Sequence, residues 1–296
     1  MRSVTIRAFA KINLSLRVGD VRADGYHPVQ TLLQGIDLFD TVRIVRRPGP
    51  FEIRCETQGV PLDRTNLVWQ AADVFWQTTG RAGEPRDVLV TLRKGIPMQA
   101  GLGGGSSDAA AALHGFCRIW QRRVPDGALH AMAAQLGSDV PYFLIGGTSL
   151  GLGRGEEVYP LEDLPRLWVV LALPPFGVST KDAYAWLDES RKRGRVQFLA
   201  GDPAENFTRP LFPHVELVND LEAPVVARHP VIGSLKERLA KSGALVAAMS
   251  GSGSAVFGVF RSAAGAARGA RALTSTGVRV LTTRLLPRRR AKALRY

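Results

Sequence analysis

One stretch constrains this chain more than any other. Pro97-Met-Gln-Ala-Gly-Leu-Gly-Gly-Gly-Ser-Ser-Asp108 runs directly into Ala109–Ala112 and on to Trp120. Its glycines let the backbone bend and come close to another group. Strong helix formers follow, so a helix is expected to begin at Ser106 to Asp108. A helix start offers unpaired backbone N–H groups and a positive dipole end, which suits a di- or triphosphate. Gly101, Gly103, Gly104, Gly105, Ser106 and Ser107 are therefore candidate nucleotide-binding residues, and the two serine hydroxyls could also face a magnesium ion. A glycine-rich loop can equally be a tight turn with ordinary capping, and alone it is a weak signal. No Gly-Lys-Ser/Thr closes it, so it is not a Walker A loop. The acidic residue and βαβ setting of a Rossmann site are missing, and so is the protein-kinase signature set.

Around the loop the chain reads as mixed helix and strand. From Ala10 to Val18, Ile12, Leu14, Leu16 and Val18 alternate with Lys11, Asn13, Ser15 and Arg17. That period of two predicts a strand with Lys11 and Asn13 on one face. Arg22-Ala-Asp-Gly-Tyr-His-Pro28 is turn-like. Strands are expected over Gln30–Phe39, Thr41–Val45, Phe51–Glu56 and Val88–Arg93, with a helix from an N-cap at Thr65 to about Gln77. A second helix is expected over Asp126–Leu136, and a hairpin over the glycine-rich Thr148–Tyr159. Further on come a short buried strand, Leu167–Leu173, and a helix opened by Ser179 with Asp182 three residues later, a near capping box. Asp188–Arg195 and Gly201-Asp-Pro203 read as surface connections. Gly233–Lys241 and Ala263–Thr274 read as helices, and Ala244–Met249, Ala255–Phe260 and Val278–Thr282 as strands. Ser250-Gly-Ser-Gly-Ser254 joins the first two of these strands. The pattern predicts an α+β chain of two domains, 1–160 and 161–296.

Bulk properties narrow the partners. The 296 residues are enough for a substantial core. No apolar run is long enough to cross a membrane, and Met1 to Leu16 lacks a signal-peptide core, so a cytoplasmic protein is expected. Cys55 and Cys117 lie far apart and form no metal spacing, which favours two reduced thiols. The formal charge of +13 favours polyanionic partners, either a polyphosphate nucleotide or nucleic acid. No nucleic-acid motif is present. The basic runs Arg191-Lys-Arg193 with Arg195, and Arg288-Arg-Arg290 with Lys292, read as solvated surface.

Three segments together resemble the GHMP kinases: Ala10-Lys-Ile-Asn-Leu-Ser-Leu16, Pro97 to Asp108, and Met249-Ser-Gly-Ser-Gly-Ser254. Their order and spacing span nearly the whole chain. The resemblance implies the two-domain GHMP kinase fold and ATP, with Mg²⁺, as phosphoryl donor to a small molecule. No nucleic-acid or membrane partner is expected, and the chain would act as a monomer or homodimer. Arg22-Ala-Asp-Gly-Tyr-His27 resembles the hallmark of the branch acting on a cytidine diphosphate-linked methylerythritol, and Gly137-Ser-Asp-Val-Pro141, Gly177-Val-Ser-Thr180 and Asn219-Asp-Leu-Glu222 also fit. The implied reaction phosphorylates that substrate's 2-hydroxyl, in the non-mevalonate route to isoprenoids. Arg22-Ala-Asp24 lacks the commoner proline. The alternatives are a GHMP kinase for homoserine, mevalonate or a sugar, and a basic nucleic-acid-binding module.

The resemblance also assigns roles. Asp139 is the general-base candidate, since a carboxylate can accept the hydroxyl proton; the competing reading is an N-cap ahead of Val140-Pro141. Lys11 would sit beside it, and Asn13, on the same strand face, would orient substrate. Tyr26 and His27 would hold the cytosine by stacking and edge recognition. Thr180 and Tyr184, one helical turn apart, would complete that pocket. Asn66, Lys94 and Pro97 would help hold ATP. No metal ligand is assigned.

Overall fold

The structure, a computed structural model, describes residues 2–191, 217–274 and 277–294. Two sheets organise it. The first has six strands: β1 (Ser3–Val18), β2 (Val29–Pro50), β3 (Glu52–Cys55), β4 (Arg86–Arg93), β5 (Thr148–Leu152) and β6 (Glu157–Pro160). Its order is β3-β4-β2-β5-β6, with β1 antiparallel to β2 and only β3–β4 parallel. Its helices are α1 (Leu67–Thr78), α2 (Gly104–Ile119), α3 (Asp126–Leu136) and α4 (Val140–Ile145). The second sheet has the order β10-β7-β9-β8, from β7 (Trp168–Leu173), β8 (Val246–Met249), β9 (Val256–Phe260) and β10 (Arg279–Arg284). Helices α5 (Thr180–Arg191), α6 (Glu222–Arg228), α7 (Pro230–Lys241), α8 (Ala263–Ala272) and α9 (Arg288–Leu294) complete the described elements.

Three apolar layers follow from the strand alternation. Ile6, Val42, Ile44 and Val90 pack with Phe75, Leu113 and Phe116 of α1 and α2. Ile12, Leu14 and Ile36, lower on the same strands, pack instead on Leu171, Phe257 and Val259 of the second sheet. The alternate residues Val170, Val256 and Phe260 turn to the other face, against Ile232, Leu235 and Leu239 of α7. The long strands β1 and β2 thus contribute to the layer under α1 and α2 and to the layer against the second sheet.

Several expectations need adjustment. Gln30–Phe39 and Thr41–Val45 are one 22-residue strand, β2. Thr65 is not the cap of α1: Asn66 is, its side-chain oxygen accepting from Val68 N, while the Thr65 hydroxyl donates to Asp63. Helix α2 starts two residues early, at Gly104, because Gly103 in the left-handed region (φ 71°) turns the chain into it. Around Lys11 both faces of β1 are covered, the polar one included: Lys11, Asn13 and Ser15 are all buried. Ser179 does accept from Asp182 N, as the near capping box predicts. Most of the internal basic run, and Gly201-Asp-Pro203, lie outside the described residues.

Candidate active site

The first glycine loop rests on β1: Lys11 N donates to Leu102 O at 3.1 Å. Ser107 N makes the first intrahelical bond, to Gly103 O at 2.9 Å. The N–H groups of Gly104, Gly105 and Ser106 therefore precede the helical ladder, at the positive end of the 16-residue α2. Close approach explains two of the glycines. A Cβ on Gly103 would lie 2.6 Å from Phe143 Cζ and 3.2 Å from Lys11 Cε. One on Gly101 would lie 2.0 Å from Ser250 O. A Cβ on Gly105 would make only an ordinary contact, with Leu67 at 3.8 Å.

Lys11 is the hub. Its ammonium donates to Asn13 Oδ1 at 2.5 Å and lies 3.3 Å from Asp139 Oδ2. Asn13 in turn donates to Thr31 at 2.8 Å, which fixes its rotamer. Lys11 is buried while the Asp139 carboxylate is 39% exposed, so this pair has one side in the fold and one open to an entering substrate. Asp139 stands at the start of α4 but makes no side-chain capping bond. The capping role does not use its carboxylate, which is turned to Lys11 instead.

The second glycine loop closes the opposite side. Ser250 Oγ donates to Gly101 O at 2.9 Å and receives Asn13 N at 3.3 Å. Gly251, at φ 55°, sits so close that a Cβ there would lie 3.1 Å from Asn13 Oδ1 and 3.4 Å from Lys11 Nζ. Thr180, at the start of α5, faces Ser252 with hydroxyl oxygens 3.1 Å apart.

The turn-like segment leads from β1 toward α5. The His27 ring is largely enclosed, with Nδ1 2.8 Å from Gly19 O and Nε2 3.4 Å from Asp188. Its ring pairs with Tyr184 at 5.3 Å between centroids. Burial pushes the Tyr184 hydroxyl up to about 12, with the negative charge of Asp139 adding to the shift. Tyr26 is half exposed with the Arg154 guanidinium 5.0 Å from its ring centre. His27, Tyr184 and Thr180 thus line one wall, with Tyr26 at its rim.

Three of the nucleotide candidates sit elsewhere. Lys94 does not point into the loop; its ammonium is held by the buried carboxylates of Asp40 and Asp108 beneath it. Two buried acids need a cation, and Lys94 supplies it. Asp40 also accepts from Gly95 N and Ile96 N, at 2.6 and 2.8 Å, so the trio anchors the loop's entry. The nearby negative charges of Asp108 and Asp40 outweigh burial and raise the Lys94 ammonium above its usual range. Burial pushes the Asp108 carboxyl up to about 7, and Asp40 adds to this. Asn66 spends its amide on Val68 N and Pro61 O. Ser107 is also turned away, its hydroxyl donating to Phe9 O at 2.7 Å, which leaves Ser106 as the half-buried hydroxyl at the helix start. Pro97 is half-buried at the mouth of the loop, next to an exposed Met98.

Comparison with known proteins agrees with this architecture. The GHMP kinases N terminal domain matches residues 66–147, and the GHMP kinases C terminal domain matches 205–279. A 4-diphosphocytidyl-2-C-methyl-D-erythritol kinase of Anaeromyxobacter sp. (strain K) is 47% identical over 279 residues, 91% of this chain and 84% of that protein. The chain belongs to the GHMP kinases. The kinase of the same name from Moorella thermoacetica (strain ATCC 39073 / JCM 9320) is 41% identical over 97% of this GHMP kinase and 100% of its own length. A crystal structure of a 4-(cytidine 5'-diphospho)-2C-methyl-D-erythritol kinase superimposes with TM-score 0.76 at 33% identity, covering 95% of this chain and 99% of that one. A homoserine kinase from Cytophaga hutchinsonii ATCC 33406 shares the fold alone, with TM-score 0.74 at 18% identity.

Residues that the sequence patterns did not single out complete this GHMP kinase's site. Asp40, Asp108, Asp188 and Ser250 act on candidates already named, through contacts made across the fold. Arg191, read as part of a solvated run, is drawn inward to donate to Val18 O, Gly19 O and Asp220.

Proposed function

We propose that this GHMP kinase transfers the γ-phosphoryl group of ATP to the 2-hydroxyl of 4-diphosphocytidyl-2-C-methyl-D-erythritol, a step in the non-mevalonate route to isoprenoids. It is a phosphotransferase with an alcohol acceptor, as its relatives' names and the shared fold support. The observation that carries the chemistry is the Lys11–Asp139 pair at 3.3 Å, set between the start of α2 and the second glycine loop. Phosphoryl transfer needs positioning and charge stabilisation more than covalent chemistry. The N–H groups at the start of α2 would receive phosphate oxygens. Asp139 would orient the attacking hydroxyl and take its proton, while Lys11 holds Asp139 in place and offsets charge on the attacking oxygen. The hydroxyl oxygen bonds to the γ-phosphorus as the bond to ADP breaks.

Mg²⁺ fits this site as a phosphate-borne ion. Among the described residues no cluster of three acidic, histidine or cysteine side chains could hold a metal. The ion would be kept mainly by ATP oxygens and water, with the Ser106 hydroxyl at the start of α2 able to contribute, and would neutralise phosphate charge. The acceptor side rests on His27 and Tyr184, whose paired rings would stack on a cytosine, with Tyr26 at the rim and Thr180 and Asn13 toward the reacting end. A domain boundary near residue 160, between β6 and β7, would put the first glycine loop in one domain and the second in the other. No described helix is long and apolar enough to cross a membrane.

A coupled kinase assay of wild type and His27→Ala tests the reading against the cytidylyl substrate, free methylerythritol phosphate, homoserine and mevalonate. Base–aromatic stacking is worth about 1–3 kcal/mol, so His27→Ala should lower kcat/KM for the cytidylyl substrate by roughly tenfold or more, with ATP affinity kept. Wild-type turnover of homoserine or mevalonate that equals or exceeds that of the cytidylyl compound would overturn the substrate assignment.

A further inference from the structure

The segment that precedes α6 touches both walls of the site without facing its centre. Residues 218–220 lie along the end of β1: Leu16 N donates to Val218 O at 2.8 Å, and Asp220 N to Leu16 O at 2.9 Å. Asn219 and Asp220 then send their side chains to different places. Asn219 is buried and its amide is fully used. Nδ2 donates to Met249 O at 2.9 Å and Gly251 O at 2.8 Å, and Oδ1 accepts from Leu221 N at 3.0 Å. Gly251 is the residue packed against Lys11 and Asn13, so the carbonyl that Asn219 grips belongs to the part of the second glycine loop closest to the reacting pair. Asp220 reaches the other way. It accepts from Val18 N at 2.8 Å and from Arg17 and Arg191 at 3.3 and 3.2 Å. Arg191 donates in turn to Gly19 O, the carbonyl that faces His27 Nδ1.

We infer that Asn219 and Asp220 are paired positioning residues: Asn219 sets the second glycine loop against Lys11 and Asn13, and Asp220 sets the His27 turn. The inference rests on the reading of the site given above, and goes beyond it by assigning the two functions to adjacent residues. The chemistry of the amide explains why an asparagine is needed at 219. Its two N–H donors satisfy two backbone carbonyls that would otherwise be buried without partners or turn elsewhere. A carboxylate of the same shape would face both carbonyls with lone pairs. At 220 the charge matters, because it collects two guanidinium groups and one backbone N–H.

The two positions should therefore fail differently. Asn219→Asp keeps the acceptor for Leu221 N and loses both donors. A reacting group displaced by about 1 Å costs on the order of 100-fold, so its kcat should fall by about 10- to 100-fold, while KM for the cytidylyl substrate stays within about twofold. Asp220→Asn removes the charge that holds Arg17 and Arg191 and loosens the His27 turn, so KM for the cytidylyl substrate should rise by about tenfold, with kcat within about twofold. Steady-state kinetics normalised to folded protein, with thermal melting of each variant, make the comparison. Asn219→Ala removes the donors without adding a charge and takes the place of Asn219→Asp if that variant does not fold. Parallel loss of folded protein in both variants, with kcat per folded molecule and KM unchanged, overturns the inference. So does a shared pattern in which both raise KM or both lower kcat. If wild type prefers homoserine or mevalonate, the substrate assignment fails instead. The kcat arm is then read on that substrate, where a normal value for Asn219→Asp overturns the inference independently.

Discussion

Gly103 offers the sharpest test of the first glycine loop. The residue sits at φ 71°, a conformation that costs an L-residue roughly 1–2 kcal/mol. Its missing Cβ would stand 2.6 Å from the ring of Phe143, which is buried, and 3.2 Å from the side chain of Lys11. Overpacking of this kind adds about 1–3 kcal/mol. Gly103→Ala should therefore lose about 2–5 kcal/mol of stability and several degrees of Tm. To relieve the contact, Lys11 or Phe143 must move by several tenths of an ångström or more, and Lys11 is the partner of Asp139. A shift near 1 Å at a reacting group costs about 100-fold in rate, so kcat should fall well beyond what partial unfolding explains. Gly105→Ala is the internal control. It lies two residues on, inside the first turn of α2, has no positive φ, and its Cβ would meet nothing nearer than 3.8 Å. Its Tm should equal or slightly exceed wild type, since a strain-free Gly→Ala stabilises by about 0.4–1 kcal/mol. Thermal melting, kcat and nucleotide affinity of both variants decide the matter. If Gly103→Ala melts and turns over like wild type, the packing of the loop on Lys11 is wrong. If Gly105→Ala is the less stable of the two, the argument from close approach fails.

Other expectations follow from single contacts. Asp139→Asn keeps shape but loses the charge facing Lys11, so kcat should fall by about 10²–10⁴ with ATP affinity little changed; near-normal turnover would remove Asp139 from the mechanism. Asp108 has a folded-state pKa raised from 3.8 to about 7, so the native state binds more protons than the unfolded one between these values. Its contribution should therefore weaken stability progressively as pH rises through that window, and Asp108→Asn should flatten the trend; identical denaturation midpoints against pH in both proteins would count against it. Lys94→Met leaves Asp40 and Asp108 buried without their cation and should cost about 3–5 kcal/mol, read by denaturant melts, whereas a lysine that served ATP alone would leave stability intact.

The sequence made the elements legible where local rules govern them. The alternation of β1, the span Asp126–Leu136 and the cap at Ser179 all follow from short-range patterns, and the structure agrees. It was less informative where tertiary contacts override them. Alternation in β1 distinguishes two faces but not what covers each, and the polar face proves to be buried beneath the glycine loops. Lys94 has the sequence setting of a nucleotide contact, yet two acids from 54 and 14 residues away claim it. Arg191 sits in a basic run that reads as solvated, but its guanidinium donates to the carbonyls of Val18 and Gly19 at the end of β1, more than 170 residues earlier. In each case the deciding partner is remote in sequence, and composition or periodicity carries no record of it.

The arrangement around Asp139 favours positioning ahead of proton abstraction. The Lys11 ammonium, 3.3 Å away, fixes the direction of the carboxylate. A fixed carboxylate suits phosphoryl transfer. In a loose transition state the attacking oxygen has formed little bond, so its proton need not leave early. What matters first is direction: the hydroxyl must point its lone pair at phosphorus, and a fixed carboxylate that accepts its hydrogen supplies that direction. The burial pattern favours this division of work. Lys11 is locked by Asn13, which is locked by Thr31, whereas Asp139 is open on its substrate side. Entry of the acceptor would then displace water from the one exposed member of the pair, and each remaining electrostatic contact would strengthen as the site dries.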